Sequence, residues 1–264
     1  MSRILLDPAA RIGFTPTPDD PLGAVQALMA RFSDGDDHER RRRIAVDLLE
    51  RVDPTEAGTD ARTMTGAWLD GCGPGVVDAM DGARRIPLEV VARSIGLDPE
   101  PALLEGIAAL CGALAPRREP LDATARATLG ATSLARLQRC LGDADGGGFD
   151  EGAVNRLALL FQTHDATAAM VGISLAARLG LDRARPPVRS TTRVVDAERV
   201  TVELDDALAF GAGVHRCPGH EIAFAIADAV AATIAARVVE VLDLGPFEAR
   251  PNLWLRSRFV VQVA

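Results

Sequence analysis

Cys217 is the residue with the clearest chemical potential in this sequence. It closes the run Phe210-Gly211-Ala212-Gly213-Val214-His215-Arg216-Cys217-Pro218-Gly219, and an apolar stretch with helical spacing follows. Glycines let a backbone turn tightly and approach a flat ligand closely. A cysteine where a helix begins is favoured as a thiolate by the macrodipole and the free backbone N–H groups. A thiolate presented this way is a metal ligand. Upstream, His38 and Arg42 stand one helical turn apart on a shared face. A carboxylate ligand suits both, and Arg42 could hold it bidentately. A third group, Gln162, Thr163, Asp165 and Thr167, places amide, hydroxyl and carboxylate functions on one long helical pattern, with positions 162, 163, 166 and 167 on one face. Such groups can move protons or hold a substrate. Each set also has a plain structural reading: a buried thiol, a solvated basic face, and polar residues used in helix packing.

The run from Phe210 to Gly219 resembles the haem-binding signature of the cytochrome P-450 family, Phe-x-x-Gly-x-x-x-Cys-x-Gly, at every fixed position. The resemblance implies haem b (iron protoporphyrin IX) ligated by Cys217, with Phe210, Gly211 and Gly219 shaping the loop and His215 reaching a propionate. The run Asp34-Gly35-Asp36-Asp37-His38-Glu39-Arg40-Arg41-Arg42 looks like the family's C helix, where a His-x-x-x-Arg pair binds a propionate. The segment 186–193 resembles the one after the family's K helix, whose arginine does the same; Arg193 is the closer match and Arg189 the alternative. Residues 85–96 look like the family's E helix. Residues 160–167 resemble its oxygen-activation segment, usually Ala/Gly-Gly-x-Asp/Glu-Thr-Thr/Ser. Asp165 holds the acid position and Thr167 the second hydroxyl. Ala166 stands where the proton-delivering threonine normally stands, and Gln162 and Thr163 replace two small residues. His164 is expected to point away from the haem.

Other family parts look absent. The N-terminal helix and first strands are missing, because His38 already belongs to the C helix. Residues 181–185 offer no Glu-x-x-Arg motif, and no meander separates Val200–Leu208 from Phe210. Those parts brace the cysteine loop in the family, so the loop here is expected to need another support, such as a second chain.

The elements that must position these groups are mostly helical. Helices are expected over 20–32, 36–51, 63–80 with a break at Gly71 to Gly75, 87–95, 100–114, 121–141 and 150–180, and from Cys217 to Val241. Short strands suit 188–204 and 253–263. The expected fold is mainly α, a reduced cytochrome P-450-like helical domain with a small β part, spanning 1–264 as one domain. The chain has 264 residues, is 48% hydrophobic and carries a net charge of −8, enough for a sizeable core. Its four cysteines are widely spaced, which disfavours a zinc site and a disulfide scaffold. Acidity with few aromatics disfavours nucleic acid. Charges interrupt every apolar run and no leader is visible, so a cytoplasmic protein without membrane contact is expected.

These features imply a haem-thiolate enzyme acting on a small-molecule or carrier-bound intermediate in specialised metabolism. Oxidation is the family default, with a ferredoxin-type electron donor. The altered 162–167 segment also allows peroxide use, dehydration or rearrangement at a nitrogen–oxygen bond. The alternative is a non-catalytic helper that stabilises a partner enzyme. A decayed fragment is a third reading, opposed by the joint presence of His38, Arg42 and Cys217. The shortened core suggests a homo-oligomer or a partner protein.

Overall fold

A computed structural model describes residues 2–13, 20–114, 122–141, 149–250 and 252–264. Its helices are α1 (Ser2–Leu6), α2 (Pro21–Ala27), α3 (Gly35–Leu49), α4 (Pro54–Cys72), α5 (Ala79–Ser94), α6 (Pro101–Leu114), α7 (Ala123–Cys140), α8 (Glu151–Arg178) and α9 (His220–Ala235). The strands are β1 (Gly75–Asp78), β2 (Ser190–Val195), β3 (Glu198–Glu203), β4 (Val238–Leu244) and β5 (Phe259–Val263). The chain is mainly α with a small β part. Parts of the expected 121–141 helix and the break at 143–148 fall outside the described residues. Among the described residues, no helix is long and apolar enough to cross a membrane.

Aspartates start most of the helices. Asp20, Asp53, Asp78, Asp122 and Asp150 each accept a backbone N–H from the first turn, a cap worth about 1 kcal/mol. α8 is central, as its apolar circumference requires. Leu157, Leu160, Val171 and Leu175 are fully buried where α8 packs against α5, α6 and α9. Glu151, at its first turn, holds it to α3: Arg40 and Arg41 both bind its carboxylate, Arg41 Nε at 2.8 Å. β5 pairs antiparallel with β1 and β4, and β2 pairs antiparallel with β3 across a turn at Asp196-Ala197.

Several expected boundaries move. The helix expected over 20–32 ends at Ala27, and 75–78 form β1 rather than the second half of the helix expected over 63–80. α4 begins at Pro54, behind the Asp53 cap, rather than at 63. α5 begins at Ala79 and carries Pro87 in its interior. The missing N–H and ring clash of an internal proline cost a helix roughly 3 kcal/mol, offset here by burial of Ala83, Ile86, Leu88 and Val90. The helix expected from 217 to 241 ends at Ala235, because Val238 to Leu244 pair with β5 instead.

The absence of a Glu-x-x-Arg helix is borne out: residues 181–187 hold no helix. An acid three residues before an arginine nevertheless occurs there. Asp182 pairs with Arg185 and, at 2.9 Å, with Arg256, tying the end of α8 to the C-terminal segment. The cysteine loop is braced within the chain. α1 packs on the turn Gly213–His215, with Leu5 buried. Gly213 has φ +67, and a Cβ there would collide with the Leu5 carbonyl oxygen. Past α1, Arg11 and Val194 exchange backbone hydrogen bonds at 2.9 and 2.7 Å, and the Ile12 N–H reaches the Asp34 carboxylate at 3.1 Å. One strap, residues 2–13, thus touches α3, β2 and the cysteine loop.

Candidate functional site

The cysteine loop folds back on itself. The Cys217 N–H donates to the Phe210 carbonyl at 2.9 Å, and the Gly211 N–H to Leu208 at 2.8 Å, with Gly211 at φ +75. The Phe210 ring lies 5.6 Å from the His220 ring, and Gly219 abuts Leu49 of α3. α9 starts at His220, three residues beyond Cys217.

Separate elements bring basic groups to this loop. From α3, the Arg42 Nη2 donates to the Arg216 carbonyl at 2.6 Å. The buried His38 ring sits 4.0 Å from the His215 ring. From β2, the buried Arg193 donates to Thr191 Oγ1 and the Thr192 carbonyl, both at 2.9 Å. Asp34 supplies negative charge, its Oδ1 3.6 Å from His215 Nε2. Charge is unbalanced as a result. Burial, then His38 and Arg193, push His215 down to about 4. Burial and Arg42 lower His38, and burial lowers Arg42 and Arg193.

Sequence reasoning missed Arg31. It lies on the short turn Ala30–Phe32, between α2 and α3. Its side chain has much accessible surface, yet desolvation is the main cause of its lowered pKa. The charges acting on it are Arg193, Cys217 and Cys111, with no acid among them. No local motif marks such a residue; only the fold reveals it.

The thiolate expected from helix position alone is corrected. Burial pushes the Cys217 thiol above its usual value, outweighing the Gly219 N–H and the charges of Arg42, Arg31 and Arg216. A metal ion, rather than the macrodipole, is needed to hold the sulfur deprotonated. The donor set fits haem: one sulfur for iron and a surplus of basic side chains for two carboxylates.

On α8, Gln162, Thr163, Asp165 and Ala166 are partly accessible, while Thr167 is 3% exposed and turned into the core. Gln162 Nε2 donates to the Ala158 carbonyl at 3.0 Å, and the Thr163 hydroxyl to Leu159 at 2.9 Å. Of the expected face 162, 163, 166 and 167, the first three are accessible and Thr167 is not; Asp165 is accessible beside them. His164 is buried between helices, its Nδ1 2.8 Å from Asp165 Oδ1. Arg250, also invisible to motif reading, reaches Asp165 Oδ2 at 3.2 Å and Glu248 at 3.0 Å. Burial would raise the Asp165 carboxyl, but His164, Arg250 and Arg84 outweigh it and hold it low. A cavity of about 440 Å³ between α2 and α7, lined by Pro21, Leu28, Leu134 and Phe149 among others, contains none of these residues.

No family model and no curated protein matches the sequence. Solved structures do match. P450BioI, in complex with an acyl carrier protein bearing hexadec-9Z-enoic acid, aligns over 100% of this chain and 89% of its own at 16% identity and TM-score 0.75. CYP154A1 from Streptomyces coelicolor A3(2) aligns over 100% and 89% at 15% identity and TM-score 0.72. P450 OxyD, involved in the biosynthesis of vancomycin-type antibiotics, aligns over 90% and 80% at 17% identity and TM-score 0.61. The chain has the cytochrome P450 fold, in a reduced form.

Proposed function

We propose that this chain is a haem-thiolate enzyme acting on a small-molecule or carrier-bound intermediate in specialised metabolism. The observation that carries this reading is the convergence of His38, Arg42, Arg193 and His215, from three elements, on Cys217, with Asp34 the one carboxylate acting on them besides the neighbouring Glu39. Arg42 and Arg193 carry two charges against the single carboxylate of Asp34, and a desolvated cation is costly unless an anion joins it. The two propionates of haem supply those anions, and Cys217 ligates the iron. Bound there, haem would supply redox or Lewis-acid chemistry beside the open face of α8.

The chain's own groups then have distinct tasks. Phe210, Gly211 and Gly219 shape the loop around the sulfur. Ala166 offers a methyl group where a hydroxyl would carry protons, so the ordinary hydroxyl relay is lost at this position. Asp165 holds or passes a proton in its place, with its charge set by His164 and Arg250. Gln162 presents its amide oxygen to the substrate side, because its nitrogen is already bonded to Ala158. Thr163 and Thr167 are the weaker candidates, one hydroxyl being bonded to its own helix and the other buried. Oxidation with a ferredoxin-type donor is the default, and the lost relay leaves room for peroxide-driven or non-oxidative reactions. The carrier-protein complex of P450BioI and the antibiotic pathway of OxyD support the substrate class by analogy only. Bracing of the loop by the strap removes one argument for a haem-free helper.

The test is spectroscopic. Protein purified with haem supplied, reduced and exposed to carbon monoxide should show the red-shifted Soret band of thiolate ligation. Cys217→Ser should abolish it. Failure of the unaltered protein to take up haem would overturn the proposal and favour the helper.

A further inference from the structure

Cys111 was not singled out by any motif, yet it lies at the centre of a second group of ligand-type side chains. It projects from α6 toward α8 and is 2% exposed, its Sγ 3.6 Å from the Phe161 carbonyl. One turn further along α8 come His164 and Asp165. Consecutive helix residues point about 100° apart, so their side chains meet only when both bend toward a common point, and here they do, at 2.8 Å. Cys111 Sγ, one ring nitrogen of His164 and one carboxylate oxygen of Asp165 all lie within 4.8 Å of one another.

We propose that Cys111, His164 and Asp165 form a binding site for a borderline-soft divalent cation such as Zn²⁺ or Co²⁺. The donor types decide the class. A thiolate and an imidazole select zinc-like ions over Mg²⁺ and Ca²⁺, which take oxygen ligands. Charge also balances: one thiolate and one carboxylate neutralise a divalent ion, which a buried site requires. Arg250 holds Oδ2 of Asp165 at 3.2 Å, while Oδ1 faces His164 Nδ1, so a metal entering between these two atoms replaces the hydrogen bond that joins them. Such support from behind a ligand is typical of built metal sites. Three protein ligands leave a fourth position open, and the partial exposure of Asp165 and Gln162 gives that position access to solvent. A water or a substrate oxygen would complete the shell. Metal binding releases the thiol proton to solvent and changes no oxidation state. Asp165 cannot serve both as ligand and as proton carrier, so loading this site would silence it in the haem chemistry proposed above.

The experiment uses the full chain carrying Cys217→Ser, which removes the thiol of the cysteine loop and makes the result independent of haem. Co²⁺ added to this protein should produce thiolate-to-cobalt charge-transfer absorption with one ion per chain, and Zn²⁺ should displace it. A further Cys111→Ser change should remove the band. His164→Gln should weaken Co²⁺ binding at least tenfold, and Arg250→Met should do so by about tenfold, both with far-ultraviolet circular dichroism unchanged. Absence of the band, or its persistence in the Cys111→Ser protein, would overturn the proposal. Should Cys111→Ser fail to fold, unweakened binding in His164→Gln overturns it equally.

Discussion

Arg31 shows how a single residue can carry two opposite effects. Its guanidinium is desolvated, and the charges around it include another arginine but no acid. In the haem-free chain the repulsion from Arg193 is a cost, kept small by the exposure of the side chain and by the Phe32 ring 5.9 Å away. Arg31→Met is therefore expected to raise the melting temperature of the haem-free protein by a small amount. The same change should speed haem loss, measured by transfer to apomyoglobin, if Arg31 helps hold the propionates. An unchanged melting temperature would place the guanidinium in water. Cys217 was legible in the sequence because a signature of fixed spacing surrounds it. Arg31, Cys111 and Arg250 were not, because each is brought to the site by elements far apart in the chain.

At the level of elements, the strap and the clamp on α8 do most of the positioning. Gly213→Ala puts a methyl group against the Leu5 carbonyl at a positive φ. It should cost about 2–3 kcal/mol and lower haem loading, while helix content measured by circular dichroism stays the same. The clamp can be tested by pH. Hydrogen bonds from Arg40 and Arg41 hold the Glu151 carboxyl at about 2, below the usual carboxylate value. A lowered acid contributes stability above its unfolded pKa, and that contribution fades as pH falls through the folded value. Glu151→Gln should thus reduce stability by about 1 kcal/mol near neutrality, a figure kept small by solvent screening. The difference should vanish near pH 2; a deficit that persists there would mean lost packing rather than lost charge. Helices with strong periodicity, such as α8, were readable from the sequence. β4 was not, since Val238 to Leu244 pattern equally well as helix until β5 is present to pair with them. Pro87 likewise suggested a boundary that burial overrides.

For the whole molecule, the question is whether the parts unfold together. The two tryptophans report on different regions. Trp68 of α4 lies against Gly82 in the helical core, and Trp254 stacks under Arg189 at 4.2 Å in the C-terminal segment. A single domain over 1–264 predicts one transition in denaturant, with fluorescence and circular dichroism coincident. A separate fluorescence step would divide the C-terminal segment from the helices. Val76, Val239 and Leu242 stand exposed on the β1-β5-β4 sheet. Light scattering can show whether that sheet joins two copies, as the shortened core suggested. The strap has one more consequence, for synthesis of the chain. Leu5 and Arg11 leave the ribosome long before their partners Gly213 and Val194. At ordinary elongation rates the delay is on the order of tens of seconds. Until then the strap has nothing to clasp, so the cysteine loop gains this brace only after Val194 and Gly213 have emerged.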